Sequence, residues 1–234
     1  MKTITQQLLE LDPTLSLHDE GEWSNTQTRY SAFNDAGVEC EVGEFLYSMV
    51  RILKPERVLE TGTHWGIGAA YLGMGLKDNR YGTMCTVEFL PEIHARACER
   101  MKKLGLGGAG DADEIVFCKL ADARDLVPER DYQLILLDTE PQTRFAELVK
   151  FYDHLSPGGF VFIHDLHRHM HQIENEEHGF AWPFGPVPEK IKYLVEFDKL
   201  RPFHFPTPRG LTGFYKPRDD DYNWGFGWEP TEKK

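Results

Sequence analysis

Two acidic residues flank a glycine-rich stretch of the sequence. From Glu60 the chain reads ETGTHWGIG, and the next apolar run, TMCTVE, ends at Glu88. A glycine-rich turn between a strand and a helix lets the backbone approach a ligand closely and directs helix N–H groups toward it. The spacing is G-x-x-x-G-x-G, not the G-x-G-x-x-G of dinucleotide sites. The acid that opens the turn would repel a pyrophosphate, so the pattern favours a ligand with a cationic amine or sulfonium, and Glu88 could bind a ribose.

A second group of polar residues follows two later apolar runs. Asp138 ends the run YQLILLD, and His164 ends the run FVFIH and is followed by Asp165. Ligands of open α/β sheets bind beyond the carboxyl ends of the strands, so these side chains are expected to lie close together. Histidine titrates near neutral pH, which makes His164 and His167 candidate general bases. His169, His171 and His178, which follow in the same histidine-rich stretch, are expected to be solvated.

The composition is that of a water-soluble globular protein. The 234 residues include 38 acidic and 26 basic ones, giving a net charge of −12, and the mean hydropathy is −0.47. An acidic surface argues against binding to nucleic acid or to anionic lipid. No apolar run approaches the roughly 18 residues of a membrane-spanning helix, and the start lacks a signal-peptide core. With four widely spaced cysteines and no CxxC pair, we expect a cytoplasmic protein with reduced thiols.

The elements that position these residues alternate between strand and helix. Strands are predicted at residues 57–60, 83–88, 115–119, 132–138 and 160–164, and helices at residues 41–53, 69–76, 91–104 and 143–154. This alternation specifies a parallel sheet with helices on both faces. A helix at residues 189–197 and two strands at residues 201–206 and 211–216 then predict an antiparallel hairpin at the sheet edge. The fold class is therefore α/β, a Rossmann-like doubly wound, mostly parallel, seven-stranded sheet.

A single domain is expected. Residues 1–40 would form an N-terminal cap segment, residues 41–218 the Rossmann-like core, and residues 219–234 a tail. Two aromatic segments, at residues 23–34 and 180–186, could cap an acceptor pocket.

The ordered set of motifs resembles the class I S-adenosylmethionine-dependent methyltransferases. It is similar in particular to O-methyltransferases of the catechol and caffeoyl-CoA type and to related natural-product and sugar O-methyltransferases. The resemblance covers roughly residues 38–165, with a weaker match at residues 210–216. Its motifs are the glycine loop at 60–68, Glu88, the ADA turn at 121–123, the LD at 137–138 and the LSPGG turn at 155–159.

The resemblance implies a set of cofactor-binding residues and one departure. Gly68 stands where these families often have serine, so one hydroxyl contact with the cofactor would be missing. The S-adenosylmethionine-binding candidates are Val38, Glu60, Gly62, His64, Gly66, Glu88, Asp122 and Asp138.

The resemblance also implies a divalent cation site. Metal-dependent relatives use an Asp after the fourth strand and an Asp-Asn pair after the fifth, and Asp138 and Asp165 match the two acids. Leu166 occupies the Asn position and cannot bind a metal, so His164, His167 or a water would be the third ligand. Such a set could hold Mg²⁺ weakly, or Mn²⁺, Fe²⁺ or Zn²⁺ better.

The reaction implied is methyl transfer to a small hydroxylated acceptor. The lysine that these families place three residues after the fourth-strand Asp is Pro141 here, so the base must come from elsewhere. The catalytic candidates are His164, His167 and Asp138.

Several alternatives stay open. The methyltransferase could be metal-independent or directed at nitrogen, or the chain could be a binding module without activity. A nicotinamide oxidoreductase is disfavoured by the glycine spacing. The expected partner is a small-molecule acceptor, with neither nucleic acid nor membrane involved, and a homodimer is compatible with the family.

Overall fold

The computed structural model describes most of the chain. The described residues are 2–19, 30–34, 37–107, 114–128, 130–166, 187–219 and 221. The predictions for His167, for the other histidines of its run, for the aromatic segment 180–186 and for most of the tail lie outside these residues. So does most of the first aromatic segment, of which Tyr30 and residues 31–34 are described.

Six helices and nine strands make up the described part of the chain, besides a short 3-10 turn at Tyr152–His154. The helices are α1 Ile4–Leu11, α2 Cys40–Leu53, α3 Ile67–Asn79, α4 Pro91–Lys103, α5 Pro141–Phe151 and α6 Glu189–Glu196. The strands are β1 Leu17–Asp19, β2 Ser31–Phe33, β3 Arg57–Thr61, β4 Thr83–Glu88, β5 Val116–Leu120, β6 Tyr132–Leu137, β7 Leu155–His164, β8 Arg201–Phe205 and β9 Leu211–Tyr215.

The main sheet has the predicted architecture. Among the described strands its order is β5-β4-β3-β6-β7-β9-β8. The first five pair in parallel, while β9 pairs antiparallel with both β7 and β8. The order reverses between β3 and β6, and in α/β sheets ligands bind at such a switch point. The prediction of a doubly wound, mostly parallel sheet with a C-terminal hairpin is confirmed.

Two local features differ from the prediction. Residues 157–159 were expected to form a turn before the fifth strand, but β7 runs through them. The pairing of β7 with β6 moves from Leu155 opposite Tyr132 to Phe160 opposite Leu134. Residues 157–159 therefore bulge out of one continuous strand. The small antiparallel pair of β1 and β2 was not predicted, because each strand has only three residues.

Apolar side chains cover both faces of the sheet. Val58 and Leu59 are adjacent on β3 and belong to different core clusters, as the alternation of side chains along a strand requires. One cluster packs α1 to α4 against the sheet, and the other packs α5 and α6 against it. Within the described residues, no helix is long and apolar enough to cross a membrane. Cys40 and Cys98 are buried free thiols.

Helix α3 starts directly after the glycine loop and is buried on all sides. Every residue from 67 to 76 is buried, which its small Ala and Gly side chains make possible. A Cβ at Gly43 of α2 would lie 2.2 Å from the Tyr71 ring, so glycine there lets the two helices approach. The Tyr71 hydroxyl lies 2.7 Å from Thr5 Oγ1. This contact ties α1 to the helix that follows the loop.

A buried ion pair connects the N-terminal segment to the glycine loop. Arg100 Nε of α4 donates to Asp12 Oδ2 at 2.9 Å, and Arg100 Nη1 donates to the Trp65 carbonyl at 2.6 Å. Both charged side chains are almost fully buried, with 3% and 4% of their surface exposed. Arg100 therefore holds the backbone of the loop against α4.

We expect Arg100→Met to lower the free energy of unfolding by about 3 kcal/mol, because the substitution leaves the buried Asp12 carboxylate without its partner. Lys103→Met is the matched control, since Lys103 forms an exposed pair with Glu99 and should change stability by less than about 1 kcal/mol. Urea unfolding of both variants measures the difference. Equal effects of the two substitutions would contradict this assignment.

Candidate active site

The carboxyl edge of the main sheet collects most of the predicted residues. Glu60 lies near the end of β3, Glu88 ends β4, Asp138 follows β6 and His164 ends β7. Two cavities open at this edge, of about 340 Å³ and about 150 Å³. Gly62, His64 and Asp138 line both of them. These residues therefore lie at the edge of the sheet where ligands of α/β sheets bind.

The glycine loop takes backbone conformations that favour glycine. Gly62 has φ of 81°, and a Cβ there would lie 2.2 Å from the Asp138 carbonyl oxygen. Gly66 is the N-cap of α3 with φ of 85°. His64 has a positive φ of 47°, and its backbone N–H donates to Glu88 Oε2 at 2.9 Å. The loop thus packs tightly against the ends of β4 and β6 and leaves the N-terminus of α3 facing the smaller cavity.

Glu60 is a carboxyl group enclosed by the first turn of α3. Its side chain accepts a hydrogen bond from Thr86 Oγ1, and a Cβ at Gly68 would lie 2.3 Å from Glu60 Oε1. Glycine at this position, in place of the serine of the related families, therefore makes room for the carboxyl group. Burial raises the pKa of Glu60 well above its ordinary value, with further increases from Asp138 and Glu88, while the Thr86 hydrogen bond acts in the opposite direction.

Glu88 and Asp122 border the larger cavity. Glu88 Oε1 accepts the backbone N–H groups of Phe89 and Leu90, both at 2.9 Å. Asp122 is bound by the Arg124 guanidinium, and hydrogen bonds from Arg124 lower the pKa of Asp122 to about 2. Both acids are thus fixed in orientation at the rim. Val38, another cofactor candidate, is buried beside the smaller cavity.

This edge fits S-adenosylmethionine. The larger cavity lies within the roughly 300–1,000 Å³ typical of small-molecule sites. Carboxyl groups of Glu60 and Glu88 offer acceptors for an amine and for ribose hydroxyls, and the α3 N-terminus suits a carboxylate. The imidazole Nδ1 of His64 is buried without a hydrogen-bond partner among the described residues. It is a polar atom that a ligand group could satisfy.

Next to the smaller cavity lies a closed set of six charged side chains, which we call the charged ring. It begins at Glu39, the N-cap of α2. Glu39 Oε2 lies 2.6 Å from His164 Nε2, and His164 Nδ1 lies 3.2 Å from Asp138 Oδ1. Both nitrogens of the imidazole thus face carboxylates.

Two arginines close the ring. Arg144 Nη2 lies 3.2 Å from Asp138 Oδ1 and 3.2 Å from Asp165 Oδ2. Arg209 Nε lies 2.6 Å from Asp165 Oδ1, and the Arg209 backbone N–H donates to Glu39 Oε1 at 3.1 Å. The ring therefore joins α2, β6, α5, β7 and the turn before β9.

The charges of the ring shift the pKa values of His164 and Asp165. Burial by itself lowers the pKa of the His164 imidazole, but the carboxylates of Asp165 and Asp138, together with hydrogen bonds to Asp138 and Glu39, raise it to about 10. Burial acts to raise the pKa of Asp165, but His164, Arg209 and Arg144 bring it well below its usual range. His164 is therefore an imidazolium at neutral pH. In that state it holds its proton, which argues against its predicted role as a general base.

The predicted metal-binding trio is close together. One ligand atom from each of Asp138, His164 and Asp165 lies within 4.8 Å of the other two. Sequence reasoning placed these three residues correctly but missed Glu39, Arg144 and Arg209. Arg144 lies three residues after Pro141, inside a predicted helix, and no motif marked it. Glu39 at the start of α2 and Arg209 in the hairpin turn likewise belong to no motif that would have marked them.

The sequence and the fold of this chain are similar to those of methyltransferases. Residues 59–166 match the sequence profile of a methyltransferase domain family. Two provisionally named O-methyltransferases, from Mycobacterium sp. (strain JLS) and Mycolicibacterium smegmatis, are each 26% identical to this chain. These matches cover 73% of this chain and 74% and 78% of the relatives.

Solved structures share the fold over nearly the whole chain. A Bacillus cereus O-methyltransferase in complex with S-adenosylhomocysteine superposes with a TM-score of 0.64 at 15% identity, covering 92% of each chain. A Podospora anserina methyltransferase bound to the same product gives a TM-score of 0.61 at 16% identity, covering 93% of this chain and 89% of its own.

The fold is the Rossmann-like fold of these methyltransferases. Residues 59–166 therefore correspond to a methyltransferase domain, and the chain is similar in sequence to O-methyltransferases, as the order of its motifs predicted.

Glu60→Gln is expected to stabilise the protein and weaken cofactor binding. A carboxyl group with a raised pKa binds its proton more tightly in the folded state, so stability falls as pH rises above the ordinary value of 4.5. The amide removes this cost, and the free energy of unfolding at pH 7 should rise by about 1 kcal/mol or more. Binding of S-adenosylhomocysteine, which carries a cationic amine, should weaken roughly tenfold.

Thermal unfolding at several pH values and calorimetric titration measure the two effects. Glu99→Gln on the exposed face of α4 is the matched control and should change neither. The gain in stability of Glu60→Gln over wild type should be larger at pH 7 than at pH 5. A smaller gain at pH 7 would contradict the assignment.

Proposed function

We propose that this enzyme transfers the methyl group of S-adenosylmethionine to a hydroxyl group of a small molecule. The observation that carries the proposal is the meeting of two cavities at Asp138. The larger one suits the nucleoside, and the smaller one adjoins the charged ring. The smaller cavity, of about 150 Å³, is lined by Glu60 and the glycine loop and suits the methionine part of the cofactor.

S-adenosylmethionine, when bound, supplies an activated methyl group on a sulfonium. The chain's own residues then have two tasks, which are to align the reactants and to take the proton from the acceptor. The glycine loop and Glu60 would hold the methionine part, and Glu88 would hold the ribose. Asp138 is the acid that reaches both cavities.

Asp138 is our proposed general base. Its side chain is 18% exposed, whereas His164 is fully buried with both nitrogens against carboxylates. His164 would act as a positioning residue that orients Asp138. His167, the other predicted base, lies outside the described residues and stays a prediction.

The first test is ligand binding. Titration of the purified protein with S-adenosylhomocysteine in a calorimeter should give one site per chain, and titration with NAD should give none. Binding of NAD instead of S-adenosylhomocysteine would overturn the proposal in favour of an oxidoreductase.

A second test identifies the attacking atom. Release of S-adenosylhomocysteine is measured with panels of matched phenols, sugars and aromatic amines. Turnover with hydroxyl compounds alone supports O-methylation, and turnover with the amines alone would replace it by N-methylation.

Asp138→Asn should lower the rate of methyl transfer by about 10²-fold or more, because the amide cannot accept a proton. Binding of S-adenosylhomocysteine should persist, since Glu60, Gly62 and Glu88 remain. Asp153→Asn, at an exposed acid 70% accessible to solvent, serves as the control and should retain full activity. Unchanged turnover in Asp138→Asn would remove Asp138 from the mechanism.

A further inference from the structure

We propose that this methyltransferase carries its own cation, the guanidinium of Arg144, at the place where its metal-dependent relatives bind a divalent ion. Arg209 would support it, and methyl transfer would need no metal. The statement about methyl transfer rests on the proposed function, whereas the statement about metal binding can be tested without measuring any activity.

The position of the guanidinium is the first observation. Arg144 Nη2 lies 3.2 Å from Asp138 Oδ1 and 3.2 Å from Asp165 Oδ2. A divalent cation held by the same two acids would need the space between them. Arg144 therefore makes the two contacts that such a metal would make.

Arg144 is also fixed in place. Its Nε donates to the Thr139 carbonyl at 2.8 Å, and its Nη1 donates to the His164 carbonyl. Only 3% of the side chain is exposed. The guanidinium thus satisfies backbone carbonyls at the ends of β6 and β7, and displacing it would leave these buried acceptors without a partner.

The charge balance is the second observation. Asp138 pairs with the Arg144 guanidinium, and Asp165 pairs with those of Arg144 and Arg209. Both predicted metal-binding acids thus already face arginines, so a divalent ion would add two positive charges next to two guanidinium groups at a largely buried site. The energetic cost of such charges is large.

The remaining ligand candidates do not fit a metal either. Both ring nitrogens of His164 already face carboxylates, at 2.6 Å and 3.2 Å. Leu166, at the position of the missing third ligand, offers no donor atom. The residues present therefore fit a divalent cation poorly, and the predicted metal site is better explained as a ring of ion pairs.

The direct test is a titration of wild-type protein with Mn²⁺, followed by the electron paramagnetic resonance signal of the free ion. No stoichiometric binding is expected at concentrations up to the millimolar range, and chelator treatment should leave methyl transfer unchanged. One tightly bound Mn²⁺ per chain that disappears in Asp138→Asn would overturn the proposal.

The second test looks for a gain of metal binding when the two arginines of the ring are removed. In the double variant Arg144→Met/Arg209→Met, two carboxylates lose their cations, and Mn²⁺ affinity should rise by roughly tenfold or more over wild type. Arg124→Met removes a guanidinium from Asp122, away from the ring, and should show no gain. A folded double variant without increased affinity would contradict the proposal.

Arg144→Lys tests whether the positive charge alone excludes a metal, without the shape of the guanidinium. It also provides a test if the double variant fails to fold. It keeps a positive charge between Asp138 and Asp165 and should remain unable to bind Mn²⁺. If Arg144→Lys binds Mn²⁺ as one site per chain, the proposal is wrong. Titration of the same samples with S-adenosylhomocysteine reports on the proposed function separately.

Discussion

Compensation of buried charge is the constraint on which the carboxyl edge of this sheet depends. Three carboxylates and three cationic side chains lie together where β6 and β7 end. Removing any one of them would leave a buried charge without its partner, which costs more than an exposed ion pair contributes. The ring therefore acts as a unit, and it fixes the positions of α2, α5 and the C-terminal hairpin relative to the sheet. Asp138 obtains its orientation from this unit.

The glycine loop shows the opposite arrangement. Glu60 lies near two other acids, Glu88 and Asp138, and its pKa is raised by burial and by both of them. The free protein thus holds an acidic group with a raised pKa at the proposed cofactor site, where a cationic ligand would stabilise the carboxylate form. The same edge of the sheet therefore combines the paired charges of the ring with an acidic group, Glu60, whose pKa is raised. The proposed binding of a cationic ligand would account for the second feature.

The fold could be predicted because it leaves a strong local pattern, and the candidate cofactor residues could be named for the same reason, although their role stays a prediction. Short apolar strands alternating with amphipathic helices define the sheet, and the ETGTHWG loop and Glu88 have fixed spacing. The ring could not be predicted from the sequence. Glu39 and Arg209 are 170 residues apart, and only the folded sheet brings them together. Leu166 and Pro141 showed that the related families' metal and base pattern was incomplete. They did not show that Arg144 fills the gap, because an arginine in a helix carries no signal of burial.

The close approach of Gly68 to Glu60 has an evolutionary consequence. A side chain at position 68 and the carboxyl group in its present rotamer cannot occupy the same space, given the 2.3 Å separation. Substitutions at the two positions are therefore expected to be epistatic. A lineage that acquires serine at 68 must also turn or shorten the acid at 60.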